Sequence, residues 1–237
     1  MLNATSLMRS GICWRGLMAD ITIFAFVWGE THNHFIPQWY EAIQNLQVQP
    51  ADVIVATNPD NPADVYGLPY TIMELPLGLG DDMPLLNAIV AACKTHWVGE
   101  CDIDDVLCPE ALNYLSDANG YDACANTIRL KSNGSIIASK PEMFHAAPQS
   151  NHVMVNSYFT KQIFDKVGGY PLEAYFQDWG LWWKLHKHHA KWFPTPGIQM
   201  IYNDIPSPNK ASCNFPPHAL QQQLDWIATY QPENIKD

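Results

Sequence analysis

The chain has 237 residues, 47% of them hydrophobic and 16% charged, which places it among packed globular proteins and excludes a disordered chain. Its formal net charge is −11 with only 13 Lys and Arg, so it lacks the basic face that a nucleic-acid partner requires. An acidic protein that binds an anionic ligand needs local help from a cation, backbone N–H groups or a helix N-terminus.

The opening, "MLNATSLMRSGICWRGLMAD", carries Arg9 and Arg15 with no apolar stretch between them, so residues 1–18 read as an extension ahead of the fold rather than a signal peptide. "DITIFAFV" (20–27) is a β-branched and aromatic run, the pattern of a strand buried on both faces. "HFIPQWYEAIQNLQ" then places Phe35, Ile36, Trp39, Ala42, Ile43 and Leu46 at helical spacing. "ADVIVATNPD" predicts a second buried strand ending in turn residues, and "PYTIMELP" a short third. "DDMPLLNAIVAACKTH" (81–96) predicts a helix, "WVGEC" a fourth strand that stops at Asp102, Asp104 and Asp105, and "PEALNYLSDA" a short helix opened by Pro109.

The alternation of strand and helix predicts a doubly wound α/β sheet whose ligands sit beyond the carboxyl ends of its strands, where the aspartates fall. The second half changes character. "YDACANTIRLKSNGSIIASK" predicts a β-hairpin around Asn133-Gly134, and "NHVMVNSYF" a strand. "TKQIFDKVGGY" predicts a helix capped by Thr160 and stopped by Gly168-Gly169. "QDWGLWWKLHKHHAKWF" predicts another helix, "IQMIYND" a late strand, and "PPHALQQQLDWIATYQP" a closing amphipathic helix. No repeat or low-complexity linker interrupts the run, so residues 19–237 are expected to form a single domain. No apolar run reaches the roughly 20 residues of a membrane span. The six cysteines form no C-x-x-C pair, which points to reduced thiols and a cytoplasmic setting.

Three constellations carry chemistry. Asp102, Asp104 and Asp105 crowd like charges at a strand end; either a hard divalent cation relieves them or the turn is simply solvated. Asp178, between Gln177 and Trp179, is either a helix-capping residue or a general base among aromatics, and the two roles can coexist. The histidines of "THNH" (His32, His34) and "HKHH" (His186, His188, His189) are either solvated side chains or metal ligands. No G-x-S-x-G, G-x-x-x-x-G-K, G-x-G-x-x-G or H-E-x-x-H is present.

Taken in order, "ITIFAFV", "DVIVATN", "LLNAIVAACKTHWVGE", "CDIDDVLCPEAL", "VMVNSYFTKQIFDKVGGY" and "YFQDWGLWWKL" make the chain resemble the family-two glycosyltransferases of GT-A fold, from about Ile21 to Tyr202. That resemblance implies a doubly wound, Rossmann-like mixed sheet with a hairpin and helices appended. It implies a nucleotide-sugar-binding half at 19–108 and an acceptor-binding half at 109–237. It implies a nucleotide-diphospho-sugar donor, Mn2+ or Mg2+, and transfer with inversion to a glycan or other hydroxyl acceptor. By position, Asp104 would hold the metal with Asp102, while Asp102 and Asp105 would also serve the donor. Phe26, Trp28, Asn58 and Asn87 would fall on the donor side, Tyr175 and Trp179 on the acceptor side, and Asp178 would be the catalytic base.

The chain departs from the family pattern at several positions. Thr57-Asn58 stands where paired aspartates are usual, Leu86 where an arginine is usual, and Gln177 where a glutamate is usual. No late histidine follows the last strand, leaving Asp204 or His218 as substitutes. A Q-x-x-R-W block is also missing, which implies transfer of one sugar at a time. These departures keep a second reading open, a catalytically impaired protein that binds sugar nucleotides or glycans. A third, an aspartate-nucleophile phosphohydrolase using Asp102, is disfavoured because its motif normally lies on the first strand.

Overall fold

The computed structural model describes residues 17–27, 29–61, 63–75, 82–205 and 216–232. Trp28 and residues 1–16 of the expected extension lie outside them.

The long apolar runs become the central strands. β1 (Met18–Val27) starts two residues before the predicted run and pairs in parallel with β2 (Gln49–Thr57) on one side and β4 (Trp97–Glu100) on the other; β3 (Thr71–Glu74) extends the parallel set beyond β2. Successive side chains of β1 leave on opposite faces, and both faces are buried. Ile21, Ile23, Ala25 and Val27 share one core layer with Trp39 and Ile43 of α1 (Ile36–Gln44). Phe24 shares the other with Ile89 and Val90 of α2 (Asp82–Ala92) and Trp182 of α4 (Gln177–Lys187). This two-sided burial is why the run reads as continuously hydrophobic instead of alternating.

The sheet then turns mixed. β9 (Tyr158–Thr160) lies antiparallel between β4 and β6 (Ala123–Ala125), and β10 (Trp192–Pro194) closes the edge parallel to β6. Among the described residues the order is β10-β6-β9-β4-β1-β2-β3. β9 approaches β4 so closely that a Cβ on Gly99 would sit 2.5 Å from the Tyr158 ring, so only glycine fits there. A second sheet, ordered β5-β11-β7-β8, is built from β5 (Val106–Leu107), β7 (Thr127–Leu130), β8 (Ile136–Ala138) and β11 (Met200–Tyr202). β7 and β8 are the predicted hairpin, with Gly134 at φ +75° in its turn.

Three predicted elements differ. The helix predicted over 177–193 stops at Lys187, and Trp192–Pro194 forms β10 instead. Residues 109–117 form consecutive turns instead of a helix, with i→i+3 bonds such as Asn113 N to Glu110 O (3.1 Å) and Asp117 N to Tyr114 O (2.9 Å). Ala111, Leu112, Tyr114, Leu115 and Ala118 are all buried in the core layer shared with Trp39 and Ile43. The strand predicted over 151–159 forms only from Tyr158. Ahead of it Asn151 Oδ1 accepts from Val153 N (3.1 Å) and Asn126 Nδ2 donates to Asn156 O (2.6 Å), so side chains satisfy backbone that would otherwise seek a ladder. Two other helices form as expected: α3 (Lys161–Lys166) is capped by Thr160, whose hydroxyl accepts from Ile163 N, and α5 (Ala219–Thr229) is the last helix among the described residues.

Candidate active site

Beyond β4 the chain runs on beside β1, with Cys101 N donating to Phe24 O (2.9 Å) and the Trp39 indole of α1 donating to Cys101 O (3.1 Å). It then reverses in a turn closed by Asp105 N and Asp102 O (3.0 Å). That turn gathers the three aspartates, one carboxylate oxygen from each lying within 4.8 Å of the others. Asp102 and Asp104 are half-buried and Asp105 is buried. Their charges add to burial in pushing the neighbouring Cys101 thiol well above its usual pKa. Asn203, immediately after β11, closes the cluster from the second sheet. Its N–H donates to Asp105 Oδ1 (2.7 Å), and its side-chain amide donates to Asp104 Oδ2 (3.1 Å). Among the described residues this is the one place where three candidate ligands converge. An all-oxygen, carboxylate-rich set suits Mg2+ or Mn2+ and not a soft metal, so the residues present fit the ion that the resemblance implies.

Asp178 sits differently. It lies in the first turn of α4, while the cap position is Phe176, whose side chain makes no capping bond. The Asp178 carboxylate takes up the N–H of Trp179, and Asn151 Nδ2 donates to its Oδ2 (2.8 Å). Part of the residue reaches solvent, yet its carboxyl is set among packed groups, and burial raises its pKa above the usual carboxylate range against those two hydrogen bonds. The segment just before it is held by α5: Gln223 Oε1 accepts from both Tyr175 N and Phe176 N (2.9 Å each).

The buried phenol of Tyr170 is kept un-ionised first by burial and then by the charges of Glu100, Asp178 and Asp102. Its position is fixed by the turn Gly168-Gly169. Gly169, at φ +69°, has no room for a Cβ against the Asn87 amide, and Lys184 Nζ of α4 donates to Gly168 O (3.1 Å) and Gly169 O (2.7 Å). Asn87 of α2 bonds both sides of the Tyr170 peptide, accepting from its N–H (2.8 Å) and donating to its carbonyl (3.1 Å), so the amide expected on the donor side is engaged here.

The remaining predicted residues scatter. Phe26 ends β1 half-buried, packed against the α2/α4 core layer. Asn58 closes a turn by accepting from Asp60 N (3.0 Å). Tyr175 is half-buried, with ring contacts to Phe176 and His218. Trp179 is 5% exposed and stacks on Phe176, so it is walled into the core layer. Asp204 faces the hairpin, accepting from Ser132 N (2.8 Å) and the Ser132 hydroxyl. His186 pairs with His145 (ring centroids 4.4 Å apart) and burial lowers its pKa to about 4, but that pair does not gather a third ligand as the aspartates do. His32 is half-buried after β1; burial lowers its pKa and the charge of Asp104 opposes that, which places it at the aspartate end of the sheet. Glu100, Asn151, Tyr170, Asn203 and Gln223 carry no short-range pattern and were not singled out from sequence. The one usable hint was Glu100, a charge inside an apolar strand.

Comparison with solved structures assigns the fold. S. aureus TarS 1-349 in complex with UDP-GlcNAc matches with a TM-score of 0.66 at 13% identity, over 88% of this chain and 65% of that one. The mannosyltransferase PcManGT from Pyrobaculum calidifontis, in complex with GDP-Man and Mn2+, matches with a TM-score of 0.56 at 14% identity, over 80% and 58%. S. aureus TarS itself matches at 0.60 and 12% identity, with 36% of its length covered, so this chain spans about a third to two thirds of the solved chains it matches. The protein therefore has the GT-A-like α/β fold of nucleotide-sugar glycosyltransferases. No family model and no curated protein matches its sequence.

Proposed function

We propose that the chain is a metal-dependent, inverting glycosyltransferase that moves one sugar from a nucleotide-diphospho-sugar to an acceptor hydroxyl. The observation that carries this reading is the gathering of Asp102, Asp104 and Asp105 in the turn after β4, beside a second, buried single carboxylate at Asp178. The TarS complex with UDP-GlcNAc and the PcManGT complex with GDP-Man and Mn2+ support it by likeness of fold.

Asp104 and Asp102 would hold the divalent ion and Asp105 brace their loop through Asn203. The bound ion would supply Lewis-acid stabilisation of charge on the departing diphosphate. Asp178, raised in pKa by burial yet kept accessible to a proton, has the setting of a general base for the acceptor hydroxyl. Asn151 Nδ2 and the Trp179 N–H would fix the rotation of that carboxylate.

The test is release of nucleoside diphosphate from UDP-GlcNAc and GDP-mannose with Mn2+ supplied or chelated, across a panel of hydroxyl acceptors. Metal-dependent release that Asp178→Asn abolishes supports the assignment; wild-type turnover in that variant would sink it. A donor-binding but non-catalytic protein is the second reading. It is favoured by Thr57, whose hydroxyl accepts from Ala63 N (3.3 Å), and by Asn87, engaged with Tyr170, at positions where the family touches its donor. That reading predicts donor binding without metal-dependent release.

A further inference from the structure

Asn203 bonds two members of the aspartate cluster at once, and one half of its amide has no use. The residue is 6% exposed, and its Oδ1 is buried with no hydrogen-bond partner among the described residues. Nδ2 faces Asp104 Oδ2 at 3.1 Å, the only sense in which an amide can meet a carboxylate directly, because nitrogen donates and oxygen does not. A half-turn about the last side-chain torsion exchanges the two amide atoms while the backbone N–H keeps its bond to Asp105. The carbonyl oxygen would then stand about 3 Å from Asp104 Oδ2. Two bare oxygens at that distance repel each other, but they match neighbouring ligands of an octahedral ion with bonds of roughly 2.0–2.1 Å.

We propose that Asn203 is a third protein ligand of the divalent cation, binding through Oδ1 after this amide flip. The proposal rests on the metal-dependent reading above. A neutral oxygen suits the position, since Asp102, Asp104 and Asp105 already crowd negative charge and an amide carbonyl adds a hard ligand without adding to it. The two side chains named beforehand are occupied elsewhere: Asp204 is turned to Ser132 and His218 lies against Tyr175. The ligand would also come from the second sheet, so ion binding would draw β11 and the loop after β4 together.

The test is titration of the full chain with Mn2+ alone, following free Mn2+ by electron paramagnetic resonance, which needs no substrate. Asn203→Leu is expected to weaken binding by about tenfold or more, and Asn203→Asp, which keeps an oxygen at the site, to bind at least as tightly as wild type. In a parallel Mg2+ titration, the Asn203 side-chain NH2 resonances should shift as the amide turns. Asp104→Asn is the control for the site itself. Wild-type Mn2+ affinity in Asn203→Leu, with binding lost in Asp104→Asn, overturns the Asn203 assignment and leaves the metal site standing. Wild-type affinity in Asp104→Asn, or no Mn2+ binding by the wild-type chain, removes the metal reading and this proposal together. Should Asn203→Leu fail to fold, Asn203→Ser and the Mg2+ shift carry the same decision.

Discussion

Asp104 and Asp178 are the two acids singled out for chemistry, and the chain treats them in opposite ways. Asp104 is half-exposed, sits within 4.8 Å of two other carboxylates, and shares the Asn203 amide with its neighbourhood. Asp178 is a lone acid at a helix start, steadied by Asn151 and Trp179 and raised in pKa by burial. Crowded acids favour a cation, whereas a buried single acid favours a proton. One residue type thus acquires two environments from packing alone.

The comparison breaks most visibly at Asp178. Replacing it with asparagine should lower kcat by roughly 10²–10⁴, the usual worth of a positioned base, and leave Mn2+ affinity unchanged. A loss of Mn2+ binding in that variant would mean the two aspartates share one role. Next in size is Gln223→Met, which strips the acceptor from Tyr175 N and Phe176 N. It should cost about 1–3 kcal/mol in urea unfolding and lower kcat more than donor KM, because the segment leading to Asp178 loosens while the aspartate turn does not move. Equal losses in kcat and Mn2+ affinity would show that α5 supports the whole site and not one side of it.

Asn151→Ala sharpens the comparison through pH. Asp178 must be ionised to accept a proton, so the rate should climb with pH through its raised pKa. Loss of the Asn151 hydrogen bond, which lowers that pKa, should move the acid limb of kcat/KM to higher pH. An unmoved limb would assign the titration to another group. The smallest effect is on stability. A carboxyl whose folded pKa lies above its unfolded value favours the folded state at low pH and loses that advantage as pH rises through the raised value. Asp178→Asn should therefore melt slightly higher than wild type near pH 7, with the difference shrinking as the pH falls towards the ordinary carboxyl range.

The strands and the two acidic motifs were legible from sequence because each depends on neighbours along the chain. Ile21 to Val27 announces a buried strand, Asp102 to Asp105 a crowded turn, and Thr160 with Gly168-Gly169 the limits of a short helix, all within a few positions. The supporting polar groups were not legible. Asn151 meets Asp178 across 27 positions, Gln223 meets Phe176 across 47, and Asn203 meets Asp104 across 99. Asparagine and glutamine have no periodic signature, and only the fold brings them to these partners. The helix predicted at Pro109 misled for a related reason, since its apolar residues do fall at helical spacing, yet the chain forms consecutive turns there and packs them into a core built by distant strands. Trp179 falls on the acceptor side by the family resemblance, while its contacts are with Phe176 and the α2/α4 layer.

The antiparallel seam between β4 and β9 also has a consequence during synthesis. Gly99 pairs with Tyr158, so about sixty residues must leave the ribosome before the open side of β4 is covered. At roughly 5–20 residues per second that interval is about 3–12 s. Throughout it the nascent chain holds a finished parallel set, β1 to β4, with one unprotected apolar margin, which is the kind of surface that chaperones shield and that misassembly exploits. The stretch of chain between Gly99 and Tyr158 thus sets how long the young protein waits for its partner strand.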